Sequence, residues 1–306
     1  MSDNQKTLLN DSVALFLLDC QSRRLSPKTL LFYRTELNPF LTWLSEQGVK
    51  YLQDLTAAHV RAWLVKLQDK GLRDTSQHAA ARSIRAWCNF SVAEGLLDVS
   101  PMAKVKMPKL DRRILPALEQ DDLARLLDAC KTSCNPERDR AMILTLLDTG
   151  CRASEFVNLN IGDLDIQRGT LAIHAGKGSK DRMVFIGAKT RKAMLRVLMS
   201  RHNAKPNEPL WLSETTGERL TYYGLQMFLR RIGGAAGVDH CAAHSFRRTC
   251  ALLMHRSGAR LTEIAAILGH SDLTVLRKYL DLNSRDAELA HREHGPVDNL
   301  PDKKTR

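Results

Sequence analysis

The chain of 306 residues contains no apolar run long enough to span a bilayer, and its first residues lack the basic-then-apolar pattern of a secretory signal, so neither a membrane protein nor an exported one is expected. Its seven cysteines (Cys20, Cys88, Cys130, Cys134, Cys151, Cys241 and Cys250) form no CxxC pair. An odd set without secretory context reads as reduced thiols in a cytoplasmic protein. Cys130 and Cys134 stand four apart, yet no second His/Cys pair with zinc-site spacing accompanies them, so neither a metal nor a cofactor is expected. Internal repeats and low-complexity tracts are absent too. The glycine-rich string Gly176-Lys177-Gly178-Ser179 lacks GxxxxGK[ST] spacing and no helix follows it, which argues against a nucleotide-binding loop.

Positive charge is what the chain has in excess. Lys and Arg number 46 against 34 Asp and Glu, a formal charge of +12, which favours a polyanionic partner over a membrane. The excess is shared, +5 over residues 1–110 and +7 over the remainder, so both halves are suited to touch the polyanion.

The length suits two domains of about 150 residues each. Residues 1–100 read as four helices: Leu8 to Arg24, Ser26-Pro27 to about Gln47, Thr56 to Lys70, and Ser76 to Leu97. In the second, Leu30, Tyr33, Leu37, Phe40, Leu41 and Leu44 form an apolar stripe, and Pro39 predicts a kink. Periodicity stops over residues 101–116, where Pro101, Pro108 and Pro116 accompany Lys104, Lys106, Lys109, Arg112 and Arg113. This basic linker is either a solvated tether or a strap along phosphates. Residues 117–290 are mixed. Helical patterns cover Glu119–Lys131, Glu137–Asp148, Arg152–Leu159, Thr190–His202, Tyr222–Ile232, Ala243–Ser257 and Thr262–Leu268, the last two closed by Gly258 and Gly269. Between them come three short strands, with Leu171/Ile173 and Met183/Phe185 as the half-buried alternations. The expected fold class is mainly α with a small antiparallel β-sheet (α+β), followed by a polar tail over residues 291–306.

Four strings carry chemistry: TGCRASE from Thr149, GKGSKDR from Gly176, HSFRRT from His244 and LGHSDLTVLRKY from Leu268. Arg152 follows a Thr-Gly turn at a helix start, where guanidinium and backbone N–H groups converge on an anion; Glu155 shares its face and can orient it. Taken alone this is a surface ion pair. Lys177 sits at a glycine-flanked hairpin tip, with Lys180 and Arg182 as substitutes; alone, this is a solvated turn. His244 and Arg247, three apart on a helix, share a face, whereas Arg248 points about 100° away. His270 and Tyr279 flank a short helix capped by Ser271, and a lone tyrosine there would be a packing residue. Together the six describe a phosphate site: cations hold a phosphorane, Lys or His moves a proton, and a phenolic oxygen attacks phosphorus. Guanidinium charge replaces a metal ion.

In this order the strings resemble the tyrosine recombinase, or phage integrase, family, which includes the Xer-type resolvases. Arg152 matches the signature arginine in TG-x-R-x-SE, Lys177 the hairpin lysine, His244 and Arg247 the H-x-x-R pair, His270 the LGH histidine, and Tyr279 the nucleophile nine residues later. The similarity covers about residues 119–283, and the LSPKT…Y…L…F..WL pattern from Leu25 resembles the family's core-binding domain. Leu280-Asp281 replaces the Thr-His pair that often follows the tyrosine, and Arg248 stands where many members have His.

The resemblance implies a site-specific recombinase that links Tyr279 to a DNA 3′-phosphate without metal or ATP. It also implies four subunits on two duplexes, with accessory DNA-bending or partner recombinase proteins as further candidates. Both domains are expected to close around double-stranded DNA, with Arg230 and Arg231 as further contacts. Two other readings stand beside it. Residues 261–280 read as a helix-turn-helix, the mark of a non-catalytic DNA-binding regulator, which leaves Lys177 and TGCRASE unexplained. A type IB topoisomerase-like enzyme would use the same chemistry at arbitrary sequence.

Overall fold

The computed structural model describes residues 6–110, 117–174, 181–201 and 203–269. The chain divides into two units, residues 1–113 and 114–306.

In the first unit the helices are α1 (Leu9–Ser22), α2 (Pro27–Glu46), α3 (Ala57–Asp69) and α4 (Asp74–Ala93). Local chemistry starts two of them. Ser26 Oγ accepts the Thr29 N–H at 3.2 Å and Pro27 opens α2, while Thr56 and His59 exchange hydrogen bonds across the first turn of α3. Pro39 lies inside α2 without dividing it. The stripe of α2 is buried at Leu37, Phe40, Leu41 and Leu44, with Leu30 and Tyr33 packed at its edge. Trp43, also buried, meets Trp63 of α3 at 5.6 Å between rings. Side chains of this size each stabilise the unit by roughly 2–3 kcal/mol on leaving water.

The unit does not stop at residue 100. A 3-10 turn over Pro101–Lys104 follows, Met102 and Val105 are buried in the helical core, and Arg61 Nη2 donates to the Lys104 carbonyl at 2.8 Å. The first half of the expected linker is therefore a fastened strap. Its apolar residues face in, while Lys104, Lys106 and Lys109 stay exposed. Together with Arg61, Gln68 and Gln77 these lysines line an open groove.

In the second unit the elements are α5 (Gln120–Lys131), α6 (Pro136–Thr149), α7 (Ala153–Asn158), β1 (Leu164–Asp165), β2 (Thr170–Ile173), β3 (Arg182–Phe185), α8 (Ala188–Met199), α9 (Tyr222–Ala236), α10 (Ala243–Arg256) and α11 (Leu261–Leu268). Helix α6 packs against α5, α8 and α10, and its run from Ala141 to Leu146 is buried all round. Phe156 of α7 stacks on Trp211 at 4.9 Å in the same core. The strands form one antiparallel sheet in the order β1-β2-β3.

One expectation about the sheet fails. Met183 and Phe185 are 56% and 70% exposed, and the inward residue of β3 between them is Val184. Register decides the phase. Leu171 and Ile173 of β2 face the core, and their partners across the ladder are Val184 and Arg182. Arg182 is thereby directed to the buried side of the sheet.

Candidate active site

Helix α6 ends at Gly150, whose φ of +54° is the left-handed value that favours glycine. A Cβ there would meet Leu268 Cδ2 at 2.5 Å and Cys250 Sγ at 3.2 Å. With no side chain at this point, α10 and α11 come against the α6–α7 turn, and Arg152 follows as the N-cap of α7.

Arg152 is held at both ends by one carboxylate. Its backbone N–H donates to Glu155 Oε2 at 2.8 Å and Nη1 to Oε1 at 2.8 Å, while Nη2 donates to the Gly269 carbonyl at 3.3 Å. The Arg152 side chain remains 41% exposed. Burial pushes the Glu155 carboxyl up, but hydrogen bonds from Arg182 and then from Arg152 outweigh it and hold the group at about 2. Glu155 is ionised at any working pH.

Arg247 of α10 is 3% exposed, and its Nη1 donates to the Gly150 carbonyl at 2.7 Å and its Nη2 to the Leu268 carbonyl at 2.6 Å. Arg182 donates from Nε to the Ile267 carbonyl at 2.8 Å. Three consecutive carbonyls at the end of α11, those of Ile267, Leu268 and Gly269, thus accept from three arginines contributed by three different strings. The end of a helix carries orphan carbonyls and partial negative charge, which guanidinium groups satisfy. Gly269 belongs to the fourth string, so all four converge here.

His244 sits in the first turn of α10, open to solvent on one side. Partial burial of the ring, then the charges of Arg248 and Arg247, hold it below the ordinary histidine value. It is neutral at neutral pH and suited to accept a proton. Arg248 departs from expectation: its side chain is buried almost as completely as that of Arg247, and its charge acts on His244 ahead of that of Arg247. A spacing of four places it over the same helical turn as His244.

Lys177, Lys180, His270, Tyr279, Arg112 and Arg113 lie outside the described residues, as does the helix expected between His270 and Tyr279. Arg231 donates to Asp139 at 3.0 Å and Glu214 at 3.3 Å, in a network completed by Arg138, so its charge is compensated within the unit. Arg230 is exposed on α9. Cys130 is buried, Cys134 is exposed, and all seven cysteines are free. Among the described residues no group of three His, Cys, Asp or Glu could hold a metal ion, and no helix is long and apolar enough to cross a membrane.

Arginines drawn from distant strings onto one helix end, with a histidine held below its ordinary value in the same domain, make a site of the class suited to an anion such as phosphate. Comparison with known proteins gives that class a family. The model of the phage integrase family matches residues 116–285, and that of the phage integrase N-terminal SAM-like domain matches residues 13–95. The chain belongs to the phage integrase family. Tyrosine recombinase XerC of Salmonella typhi is 32% identical over 263 residues, covering 85% of this chain and 87% of the relative. Among solved structures, the Tn1549 transposon integrase in complex with a circular intermediate DNA superposes with a TM-score of 0.75 at 16% identity, covering 92% of this chain and 98% of that one. A lambda integrase tetramer bound to a Holliday junction gives 0.71 at 19% identity, covering 89% and 80%. At those identities the structural likeness concerns the fold.

Proposed function

We propose that this protein is a site-specific DNA recombinase that cuts and rejoins strands through a 3′-phosphotyrosyl intermediate. Tyr279 Oη attacks the scissile phosphorus; the new O–P bond forms as the bond to the 5′-oxygen breaks, leaving a 5′-hydroxyl. Arg152 and Arg247 clamp the non-bridging oxygens, whose charge grows in the pentavalent state. His244, held neutral, takes the phenolic proton; Lys177 protonates the departing 5′-oxygen; His270 donates to a phosphate oxygen. Because the phosphodiester energy is kept in the phosphotyrosine, a 5′-hydroxyl from another strand reverses the step without ATP.

The observation that carries this reading is the gathering of Arg152 and Arg247 on the end of α11, one residue before His270. Exposed Lys104, Lys106, Lys109 and Arg230 supply phosphate contacts on duplex DNA, with Arg112 and Arg113, which come later in the sequence, as further candidates. Arg231, bound to two carboxylates, contributes less. The working assembly is a homotetramer on two duplexes in the cytoplasm, in line with the tetrameric lambda integrase structure. The helix-turn-helix alternative gives no account of the three arginines gathered on the end of α11.

The test is to incubate purified protein with nicked, radiolabelled fragments of its host genome, without metal or ATP, and to sequence any DNA that stays attached in SDS. Adducts at one sequence support the recombinase. Adducts at arbitrary sequence indicate a topoisomerase-like enzyme, and sequence-specific binding without adduct indicates a regulator.

A further inference from the structure

Arg182 has no part in the mechanism above, yet it is nearly buried and makes three side-chain hydrogen bonds within the site. It lies opposite Ile173 in the β2–β3 ladder, and its side chain is 9% exposed. Nη2 donates to Glu155 Oε2 at 2.8 Å and Nη1 to Oε1 at 3.2 Å, while Nε reaches the Ile267 carbonyl at 2.8 Å. Gly269 packs directly on the guanidinium: a Cβ there would lie 3.0 Å from Nη1 and 3.2 Å from Cζ. Each Glu155 oxygen therefore accepts once from Arg152 and once from Arg182.

Two consequences follow from this geometry. The bidentate fork of Arg182 sets the plane of the Glu155 carboxylate, and that carboxylate in turn fixes Arg152 at its backbone and at its guanidinium. Charge is also redistributed. A single carboxylate facing Arg152 alone would cancel the charge that a phosphate needs; shared between two guanidiniums, it orients Arg152 while leaving the group net positive. A cation buried at this cost, beside a sheet core that accepts Val184 and Ile173, is better explained by what it orients than by cohesion.

We infer that Arg182 is a positioning residue for strand cleavage: acting through Glu155, it aims Arg152 at the scissile phosphate and locks that aim to the end of α11, next to His270. The inference rests on the recombinase reading above.

The test is a double-mutant cycle of R182K and E155Q, measured as the single-turnover rate of adduct formation on the nicked duplex that the wild-type protein captures. Lysine keeps the charge but cannot make the fork and the Ile267 bond together. Expected is a fall of about 100-fold in rate for R182K, the size associated with misplacing or losing one transition-state donor, with duplex affinity within about threefold of wild type. E155Q should fall similarly, and the double variant should be no slower than the slower single one, because both act on one link. A wild-type rate in R182K, or a double variant whose loss is the product of the two, would overturn the inference.

A second arm needs no DNA. In protein labelled with ¹⁵N-arginine, the Arg152 Nε–H signal, assigned by its loss in R152K, is followed during titration with inorganic phosphate. R182K and E155Q should each move that signal and weaken its response to phosphate at least tenfold; an unmoved signal with an unchanged response in both variants defeats the inference. Failure of the wild-type protein to form any adduct would strike the recombinase reading, and this second arm would still decide whether Arg182 aims Arg152.

Discussion

The two units solve the same packing problem with different materials. Among the described residues, the buried polar side chains of the first unit are Ser12, Ser83 and Ser91, each of which donates its hydroxyl to a backbone carbonyl. The second unit buries Asp122, Asp139, Glu155, Arg247 and Arg248, with Arg182 nearly so. Helices evidently pack without buried ions, since α1 to α4 do it on Leu, Phe and Trp. Ions taken out of water cost several kcal/mol each before partners repay them. Of these, Glu155, Arg182 and Arg247 gather beside the end of α11, and that gathering points to a task that cohesion does not require. Asp139, between Arg138 and Arg231, and Asp122, which caps the start of α5 and meets Arg125, are the structural ones.

If that contrast is right, substitutions at the helix end should affect chemistry far more than binding. The largest effect belongs to Tyr279→Phe, which should abolish the SDS-resistant adduct while leaving duplex binding intact in a mobility-shift assay. Next is Arg247→Lys, which loses the paired reach to the Gly150 and Leu268 carbonyls; single-turnover cleavage should fall by about 10²- to 10³-fold.

Two glycines sharpen the comparison at the level of stability. Gly150 and Gly48 both have positive φ, but a Cβ on Gly150 would collide with Leu268, whereas at Gly48 nothing lies within 4 Å. Gly48→Ala should cost about 1 kcal/mol through backbone strain alone. Gly150→Ala should cost about 1–3 kcal/mol more through overpacking, measured by denaturant unfolding.

The pH dependences differ in sign and are milder. His244 lies below the ordinary 6.5, so cleavage limited by its neutral form should rise with pH through that lowered value and then level off, a profile that His244→Gln removes. His174 behaves oppositely. Its ring nitrogens meet Asp181 and Asp163, each at 3.0 Å, and these hydrogen bonds raise it above 6.5 despite slight burial. A raised value means that this bridge contributes fully below about pH 6.5 and is lost as pH climbs through the folded-state value. Amide exchange at Asp181 and Arg182 should therefore quicken over that window beyond its intrinsic rise. Smallest of all, Lys104→Ala or Lys106→Ala should reduce the salt slope of duplex binding by about one each, with little change in cleavage at saturation.

Local chemistry was the legible part of this molecule. Ser26-Pro27, Thr56 and the closing glycines Gly258 and Gly269 mark helix ends because capping is decided within a few residues, and the observed bounds fall within a few residues of those expected. The arginine pair Arg152 and Arg247 was legible through its strings. What escaped depends on distant partners. The inward phase of β3, and with it the burial of Arg182, is set by the ladder to β2, which the local alternation at Met183/Phe185 does not reveal. Met102 and Val105 were hidden among Lys104, Lys106 and Lys109, where charge density reads as a tether although every second or third residue packs inward. Arg248 was set aside by helix angle alone, which ignores that α10 is covered on more than one side.

The most direct measurement is peptide mapping of the protein–DNA adduct formed by wild-type protein without metal or ATP. The account predicts a single phosphotyrosyl peptide containing Tyr279, joined to a DNA 3′ end and lost in Tyr279→Phe. An adduct on another residue, a 5′ linkage, or an adduct that survives Tyr279→Phe would contradict it.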